Sequence, residues 1–183
     1  MRGRRENSIK KIIVVSGLPG SGKSTVAEEI AERLQFPIFS VDPIESAILQ
    51  SGIKRSFETG LAAYLIAETL ADEQLSLGMS VIVDAVNSAK EARDTWRRLS
   101  ERHGAGLVII ECVLDRDLHR KRIESRVHNL TGIPEVTWDA VENRRNEYLE
   151  WEEERLVLDT SNAKETNTSK ALKYIQTVDK EIS

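Results

Sequence analysis

The sequence has little cysteine and no long apolar run. These two absences limit the cellular compartment and the kind of protein that the sequence can specify. Cys112 is the only cysteine among 183 residues, so no intrachain disulfide can form and a reducing compartment is favoured. No apolar run approaches the roughly 20 residues that cross a bilayer. The N-terminal letters MRGRRENSIKK also lack the apolar core of a signal peptide. We therefore expect a cytoplasmic protein without a membrane partner.

An excess of positive charge is also missing. Lys and Arg number 26 against 30 Asp and Glu, which gives a formal net charge of -4. Polynucleotide-binding proteins normally carry a basic footprint, so nucleic acid is a disfavoured partner, although the basic N-terminal letters could touch phosphates. A length of 183 residues suits one domain, 1–183.

Short apolar runs alternate with longer segments of helical period. This alternation predicts an α/β protein in which helices cover a parallel sheet. The predicted strands span 11–16, 37–41, 80–84, 106–114 and 155–159. The predicted helices span 24–34, a short piece after 43, 57–77, a segment from Ser88 to Gly104 with a capping box at Ser88 and Glu91, 116–127 capped by Asp115, 137–154 begun by Thr137, and a last helix around Ala171, Leu172, Ile175, Val178 and Ile182.

Two interruptions of the helical pattern are candidates for a substrate loop and for a lid. The letters SGIKRS break region 43–79, which we assign to acceptor binding, and NLTGIP breaks the pattern with Gly132 and Pro134. We expect a lid at 127–137.

The letters VSGLPGSGKST at 15–25 carry the strongest motif. Gly17, Gly22, Lys23 and Ser24 satisfy G-x-x-x-x-G-K-S/T between a predicted strand and a predicted helix. Backbone N–H groups of such a loop cradle phosphates at the positive end of the helix dipole. Lys23 is expected between the β- and γ-phosphates, and the Ser24 hydroxyl on Mg²⁺. The predicted nucleotide contacts are Gly17, Leu18, Pro19, Gly20, Ser21, Gly22, Lys23, Ser24 and Thr25.

Asp84 ends the predicted strand VIVD, where a carboxylate can complete the Mg²⁺ shell through water. The alternative is an Asp that merely starts a turn. An ATPase would usually place a Glu after this Asp to activate water, and Ala85 follows instead. The chain also lacks the N-K-x-D motif by which GTPases recognise guanine. Both absences favour transfer of a phosphoryl group to an acceptor.

Asp42 follows the second predicted strand, at the sheet edge where ligands of open α/β folds bind. It could orient an acceptor hydroxyl and receive its proton. Alternatively, Asp42 before Pro43 caps the next helix.

In order and spacing, GLPGSGKST, SVD and VIVDAVN resemble the small P-loop kinases grouped as an AAA-type domain, which are related to chloramphenicol phosphotransferase, gluconate kinase and shikimate kinase. The resemblance covers roughly 12–182. It implies a three-layer P-loop nucleoside triphosphate hydrolase fold with a five-stranded parallel sheet of adenylate-kinase type, a small lid, and ATP with Mg²⁺. It also implies phosphorylation of a hydroxyl group. The Asp42 match is to the acceptor-side Asp of chloramphenicol phosphotransferase.

Arg122 and Arg126 lie one helical turn apart, and a guanidinium can meet two phosphoryl oxygens at once. By resemblance to gluconate and shikimate kinases, Arg122 is the candidate for adenine and Arg126 for the phosphates. A solvated helix face is the alternative, and Arg144 and Arg145 are weaker candidates. The compact RP lid sequence of shikimate kinases is not found.

The remaining features add no predicted chemistry. His103, His119 and His128 lack metal-ligand spacing, and the three tryptophans are expected to pack. The sequence predicts an ATP-dependent phosphotransferase acting on a small hydroxyl compound. The alternatives are a 5′-hydroxyl polynucleotide kinase and a nucleotide-binding switch without chemistry. The acceptor and the oligomeric state are not specified by the sequence.

Overall fold

The structure is a computed structural model that describes residues 9–125 and 135–181. These residues form β1 (Lys11–Ser16), α1 (Lys23–Leu34), β2 (Ile38–Ser40), α2 (Val41–Gln50), α3 (Phe57–Ser76), β3 (Val81–Asp84), α4 (Lys90–His103), β4 (Gly106–Val113), α5 (Arg116–Ser125), α6 (Trp138–Glu147), β5 (Leu156–Asp159) and α7 (Lys164–Glu181). All five predicted strands are present, each within two residues of its predicted ends.

The five strands form one parallel sheet in the order β2-β3-β1-β4-β5. In the register, Asp84 lies opposite Val15 of β1 and Ser40 of β2. The carboxyl ends of β1, β2 and β3 therefore meet at one edge. The prediction of an α/β fold with a five-stranded parallel sheet is confirmed.

Helices cover both faces of the sheet because β1 is apolar on both of its faces. Ile12 and Val14 pack with Trp96, Leu99 and the alanine row of α3 in one buried cluster. Ile13 and Val15 pack into a second cluster on the opposite face, which includes Val26, Ala27 and Ile30 of α1 and Ala171 and Ile175 of α7. The arrangement has three layers, and its continuously apolar central strands are typical of a buried parallel sheet. None of the described helices is both long and apolar enough to cross a membrane.

For α4, the predicted C-terminal end is correct and the predicted N-terminal cap is wrong. Gly104 ends α4 in the left-handed conformation, with φ of 55°, as predicted. The capping box at Ser88 and Glu91 is wrong, because α4 begins at Lys90 and its N-cap is Ala89, without a side-chain cap. The chain turns at Asn87, where φ is 52°, and this turn delays the helix start.

The caps of α5 and α6 are confirmed. Asp115 Oδ1 accepts from the N–H groups of Asp117 at 3.0 Å and Leu118 at 3.2 Å, and Thr137 Oγ1 accepts from Ala140 N at 3.2 Å. The predicted extent of α6 is wrong, since it ends at Glu147 instead of 154. Trp151 turns into the core, and the carbonyls before it bind Arg93. Most of the predicted lid, 127–134, lies outside the described residues.

Candidate active site

The loop between β1 and α1 is built for close approach to an anion. Gly17 has φ of 147°, and a Cβ there would lie 2.5 Å from the Cys112 carbonyl oxygen. Gly22 has φ of 91° and precedes α1, whose first turn contains no acidic side chain and no side-chain cap. The positive end of this helix is thus left for a ligand of negative charge. The neighbouring Leu18 is half-buried, and Thr25 is exposed on the first turn of α1.

Lys23 extends from the first turn of α1 to the start of α2. Its side chain is buried, and its Nζ lies 3.7 Å from Asp42 Oδ2. Asp42 is in the first turn of α2, directly after β2, and its side chain is 45% exposed. The N-cap of α2 is Ser40, so Asp42 is not the residue that caps this helix. The fold brings together two predicted site residues that are 19 positions apart.

Asp84 ends β3 beside this pair and is 4% exposed. Its Oδ1 has no hydrogen-bond partner among the described residues. Burial raises the pKa of Asp84, while the Lys23 ammonium and the Ser24 and Ser40 hydroxyls act in the opposite direction. A buried carboxylate oxygen without a partner is costly unless a ligand completes it.

A magnesium ion fits this donor set. Ser24 and Asp84 offer hard oxygen atoms close to the phosphate loop, and Mg²⁺ commonly takes one or two protein ligands while phosphates and waters complete its shell. Within 9–125 and 135–181, no three His, Cys, Asp or Glu side chains group to hold a metal by themselves. A cation here would therefore depend on the nucleotide. Ser21 Oγ is a second buried oxygen here that has no partner in the part of the chain that the structure describes.

Arg122 projects from α5 over the outer side of the loop. Its Nη1 lies 3.5 Å from the Gly20 carbonyl oxygen and 3.4 Å from Thr160 Oγ1, and its Nη2 lies 3.5 Å from the Thr160 carbonyl oxygen. Arg122 therefore stands between the phosphate loop and the turn after β5. Arg126, the candidate for the phosphates, lies outside the described residues.

The two weaker arginine candidates differ in their surroundings. Arg145 donates from Nε to Glu142 at 3.0 Å and from Nη2 to His119 Nδ1 at 3.1 Å. Arg144 is exposed, and its positive charge acts to lower the pKa of Tyr64, which burial raises to about 12. The Asp42 carboxylate acts on the pKa of Tyr64 in the opposite direction.

A buried network behind the site was not anticipated from the sequence. Arg93 donates to three main-chain carbonyls, those of Asn87 at 2.8 Å, Leu149 at 2.6 Å and Glu150 at 2.8 Å. Its guanidinium carbon lies 5.0 Å from the Tyr148 ring centroid and 4.3 Å from that of Trp151. This network anchors the turn after Asp84 and the segment after α6.

The network also reaches β1 and α3. Ser16 Oγ and Tyr148 Oη are 2.9 Å apart. Asn87 accepts from Trp96 Nε1 at 2.9 Å, and its N–H donates to Tyr64 Oη at 3.1 Å. The motif VIVDAVN ends at Asn87 in this network, where Asn87 holds the turn after β3.

The fold and the site together define a class. The sheet is parallel and has the order β2-β3-β1-β4-β5. A glycine loop with a buried lysine follows β1, and carboxylates stand at the carboxyl ends of β2 and β3. These are the features of a P-loop nucleotide-binding protein of kinase type.

The chain belongs to the AAA domain family, which matches residues 12–149. An Aeropyrum pernix protein named "Probable adenylyl-sulfate kinase" is 31% identical over an alignment of 186 residues, which covers 93% of this chain and 96% of that protein. An uncharacterised protein of Mycobacterium tuberculosis is 29% identical over 133 residues, which are 66% of this chain but only 26% of that protein.

Solved kinases share the fold at low sequence identity. A gluconokinase of Sinorhizobium meliloti superposes with a TM-score of 0.67 at 19% identity, covering 94% of this chain and 95% of its own. An APS kinase of Mycobacterium tuberculosis, solved with AMPPNP and APS, has a TM-score of 0.66 at 17% identity, covering 92% of this chain and 98% of its own. The predicted resemblance to small P-loop kinases is confirmed.

Proposed function

We propose that this chain transfers the γ-phosphoryl group of Mg·ATP to a hydroxyl group of a small-molecule acceptor. The observation that carries the proposal is the 3.7 Å contact between Lys23 Nζ and Asp42 Oδ2. It puts a carboxylate from the end of β2 within reach of the ammonium that would hold the phosphates. A carboxylate in that position can serve a hydroxyl group that approaches the transferring phosphoryl group.

On the nucleotide side, the loop 17–25 would bind phosphates mainly through its backbone, and Lys23 would lie at the β- and γ-phosphates. Arg122, at the outer side of the loop, would cover the adenine by stacking its planar guanidinium. Ser24 and Asp84 would hold the magnesium ion. When bound, Mg²⁺ neutralises charge on the phosphate oxygens.

On the acceptor side, Asp42 would orient the hydroxyl group and take its proton. The acceptor oxygen forms a bond to the γ-phosphorus, the bond between that phosphorus and the β–γ bridging oxygen breaks, and ADP leaves. Because the transition state is loose, proton removal comes late, so positioning of the acceptor contributes much of what Asp42 supplies. Lys23 shifts from Asp42 toward the phosphates when nucleotide binds.

Three observations favour this reaction over the alternatives. Ala85 follows Asp84 where an ATPase would carry a water-activating Glu, which disfavours hydrolysis. The net charge of -4 disfavours a polynucleotide acceptor. The presence of both Asp42 and Asp84 at the phosphate loop disfavours a switch without chemistry, since a sensor has no use for an acceptor carboxylate.

The first acceptor to test is adenylyl sulfate, because a relative that aligns with nearly the whole chain bears the name of an adenylyl-sulfate kinase. Gluconate and other sugar acids follow, then nucleosides, hydroxylated antibiotics and 5′-hydroxyl oligonucleotides. ADP formation is measured for each compound against a reaction without acceptor.

The Asp42→Asn variant tests the role of the carboxylate. It keeps the shape of the side chain and removes its charge. We expect Mg·ATP affinity by calorimetry to stay near that of the wild type, while single-turnover transfer falls by roughly 10²- to 10⁴-fold, the usual contribution of a positioned base. Asp94→Asn is the matched control, because Asp94 pairs with Arg97 on α4 away from the site.

Equal transfer rates in wild type and Asp42→Asn would remove Asp42 from the chemistry. Tight Mg·ATP binding by the wild type without transfer to any acceptor would favour the switch. A steep loss of affinity for 5′-hydroxyl oligonucleotides with rising salt, at measurable transfer to them, would make the polynucleotide kinase the better assignment.

A further inference from the structure

His119 is a buried histidine that the proposed reaction does not use. It lies in α5 and is 1% exposed. Its Nε2 lies 2.8 Å from the carbonyl oxygen of Pro19 in the phosphate loop, and its Nδ1 lies 3.1 Å from Arg145 Nη2. Both ring nitrogens are therefore engaged, and no ring atom is available to a substrate.

These two contacts assign the tautomer. A carbonyl can only accept and a guanidinium can only donate, so Nε2 carries the hydrogen and Nδ1 accepts. Burial lowers the pKa of His119. The Pro19 carbonyl and the Glu142 carboxylate act in the opposite direction, while Arg145 and Arg122 lower the pKa further. The neutral ring is thus the form that fits between Pro19 and Arg145, because a protonated Nδ1 would point a hydrogen at the guanidinium.

The hydrogen bond from His119 to the Pro19 carbonyl also orients the Gly20 N–H, which His119 does not contact. The peptide bond from Pro19 to Gly20 is planar and trans, so its N–H points opposite to its carbonyl. With the carbonyl held outward by His119, the Gly20 N–H points away from α5. In a phosphate loop, inward N–H groups form the anion nest. His119 therefore fixes one donor of that nest from behind.

A second hydrogen bond holds the loop in the same way. Thr160, in the turn after β5, donates from Oγ1 to the Ser21 carbonyl oxygen at 2.6 Å. By the same planarity, this bond orients the N–H of Gly22. Two short hydrogen bonds, one from α5 and one from the turn after β5, thus hold the loop from its outer side, next to the longer 3.5 Å contact of Arg122 with the Gly20 carbonyl.

His119 differs from Thr160 because it is also connected to α6. Beyond the Arg145 contact, the His119 ring meets the Trp138 ring edge-on, with centroids 5.6 Å apart at 81°. Arg145 and Arg116 both pair with Glu142, which ties α5 to α6. These two helices precede and follow the predicted lid.

We propose that His119 is a positioning residue that sets the Pro19–Gly20 peptide for phosphate binding and connects this peptide to α6. The proposal rests on the proposed function only in that the loop binds ATP; it does not depend on which acceptor is used or on whether transfer occurs. The link through Arg145 makes the position of α6 and the shape of the phosphate loop depend on each other.

Two amide substitutions separate the two contacts. In His119→Gln, the side-chain amide can reach the position of Nε2 and donate to Pro19. In His119→Asn, the shorter amide corresponds to Nδ1 and can accept from Arg145, but it does not reach Pro19. His103→Gln is the control, because His103 pairs with Asp72 at 2.8 Å far from the loop. Circular dichroism and thermal unfolding establish that each variant is folded.

The primary measurement is the dissociation constant for Mg·ATP by calorimetry, without any acceptor. We expect His119→Asn to weaken binding about three- to tenfold, the usual contribution of a hydrogen bond, while His119→Gln and His103→Gln stay within about twofold of the wild type. The positioning role is overturned if both folded variants bind Mg·ATP as tightly as the wild type. It is also overturned if both variants lose affinity equally, because packing alone would then explain the effect.

A second readout needs no nucleotide. In the apoprotein, the ¹⁵N and ¹H shifts of the Gly20 amide should move in His119→Asn and stay near wild-type values in His119→Gln. Acidification should move the same resonance in the wild type as His119 protonates, and leave it in place in His119→Gln. A Gly20 resonance that is indifferent to both variants contradicts the proposal. Failure to bind Mg·ATP in the wild type would instead refute the proposed function and leave the apoprotein result standing.

Discussion

The two sides of the candidate site are built differently. On the nucleotide side, the carbonyls of Pro19 and Ser21 are held by His119 and Thr160, and the lysine is buried. On the side that we propose for the acceptor, residues 50–58 are all exposed, and Phe57 at the start of α3 is 81% exposed. Within this segment the Arg55 side chain is tied by one ion pair, 3.5 Å to Glu45. One side is fixed in advance and the other is open.

This difference follows from what each side must recognise. The phosphates of a nucleotide are the same for every kinase of this fold, so a rigid backbone loop can be prepared for them. Acceptors differ between kinases, and the residues that choose them lie on variable connecting segments. The contrast predicts that changes on the nucleotide side weaken Mg·ATP binding, whereas changes on the proposed acceptor side leave it unchanged and alter selectivity.

The largest effect is expected at Lys23. Lys23→Ala should abolish measurable turnover and weaken Mg·ATP binding, because it removes the point charge from beside the β- and γ-phosphates. Calorimetry and ADP formation measure the two effects. Lys90→Ala, which removes an exposed ammonium paired with Glu152, should leave both unchanged. Unchanged kinetics in Lys23→Ala would contradict the assignment of the phosphate loop.

Asp84→Asn should have the next largest effect, a loss of roughly 10²-fold or more in turnover together with a raised requirement for Mg²⁺, because it removes a charged oxygen from the proposed magnesium site. A magnesium titration at fixed ATP measures the shift. If the magnesium dependence of Asp84→Asn equals that of the wild type, Asp84 is not a ligand.

The same variant should be more stable without nucleotide. Since the pKa of Asp84 is raised above its ordinary 3.8, the folded protein binds this proton more tightly than the unfolded chain does. The stability that this group contributes therefore falls as pH rises above 3.8 and through the raised pKa. Asn avoids the loss, so we expect a higher thermal midpoint for apo Asp84→Asn at pH 7. Near pH 3 the difference should vanish.

The smallest effect is expected at Arg55, on the open side. Arg55→Ala frees Glu45 from one partner while Thr59 Oγ1 still donates to it at 3.2 Å. We expect Mg·ATP affinity to stay unchanged and KM for the acceptor to shift about two- to threefold, a size typical of an exposed ion pair. An Arg55→Ala variant that loses ATP affinity would mean that the two sides are not independent.

The sequence predicted the elements that carry a strong local signal. β1 is correct at both ends because four fully buried residues stand between Lys11 and Ser16. The phosphate loop was located by its motif, and Asp42 and Asp84 by their positions after strands. Parallel strands end at the same edge, so short-range patterns were enough to bring these residues together.

The residues that support the site from behind could not be found in this way. Arg93 lies in a helix rich in charged residues, KEARDTWRRLSERH. In the sequence, nothing distinguishes it from its solvated neighbours Arg97 and Arg98. Its carbonyl partners at Leu149 and Glu150 are more than 50 positions away. His119 was missed for the same reason, since its partner Pro19 is 100 positions away. Burial of one polar residue among several alike is decided by tertiary packing.

The buried Arg93 has a consequence for behaviour in acid. A guanidinium keeps its charge at every accessible pH, its hydrogen-bond partners among the described residues are main-chain carbonyls, and burial raises the pKa of the Tyr148 phenol. The attachment of the segment after α6 is therefore indifferent to protons. His119 holds α6 itself through a ring that must stay neutral. Acidification to below the ordinary pKa of histidine, 6.5, should therefore loosen one tether of this part of the fold and leave the other in place.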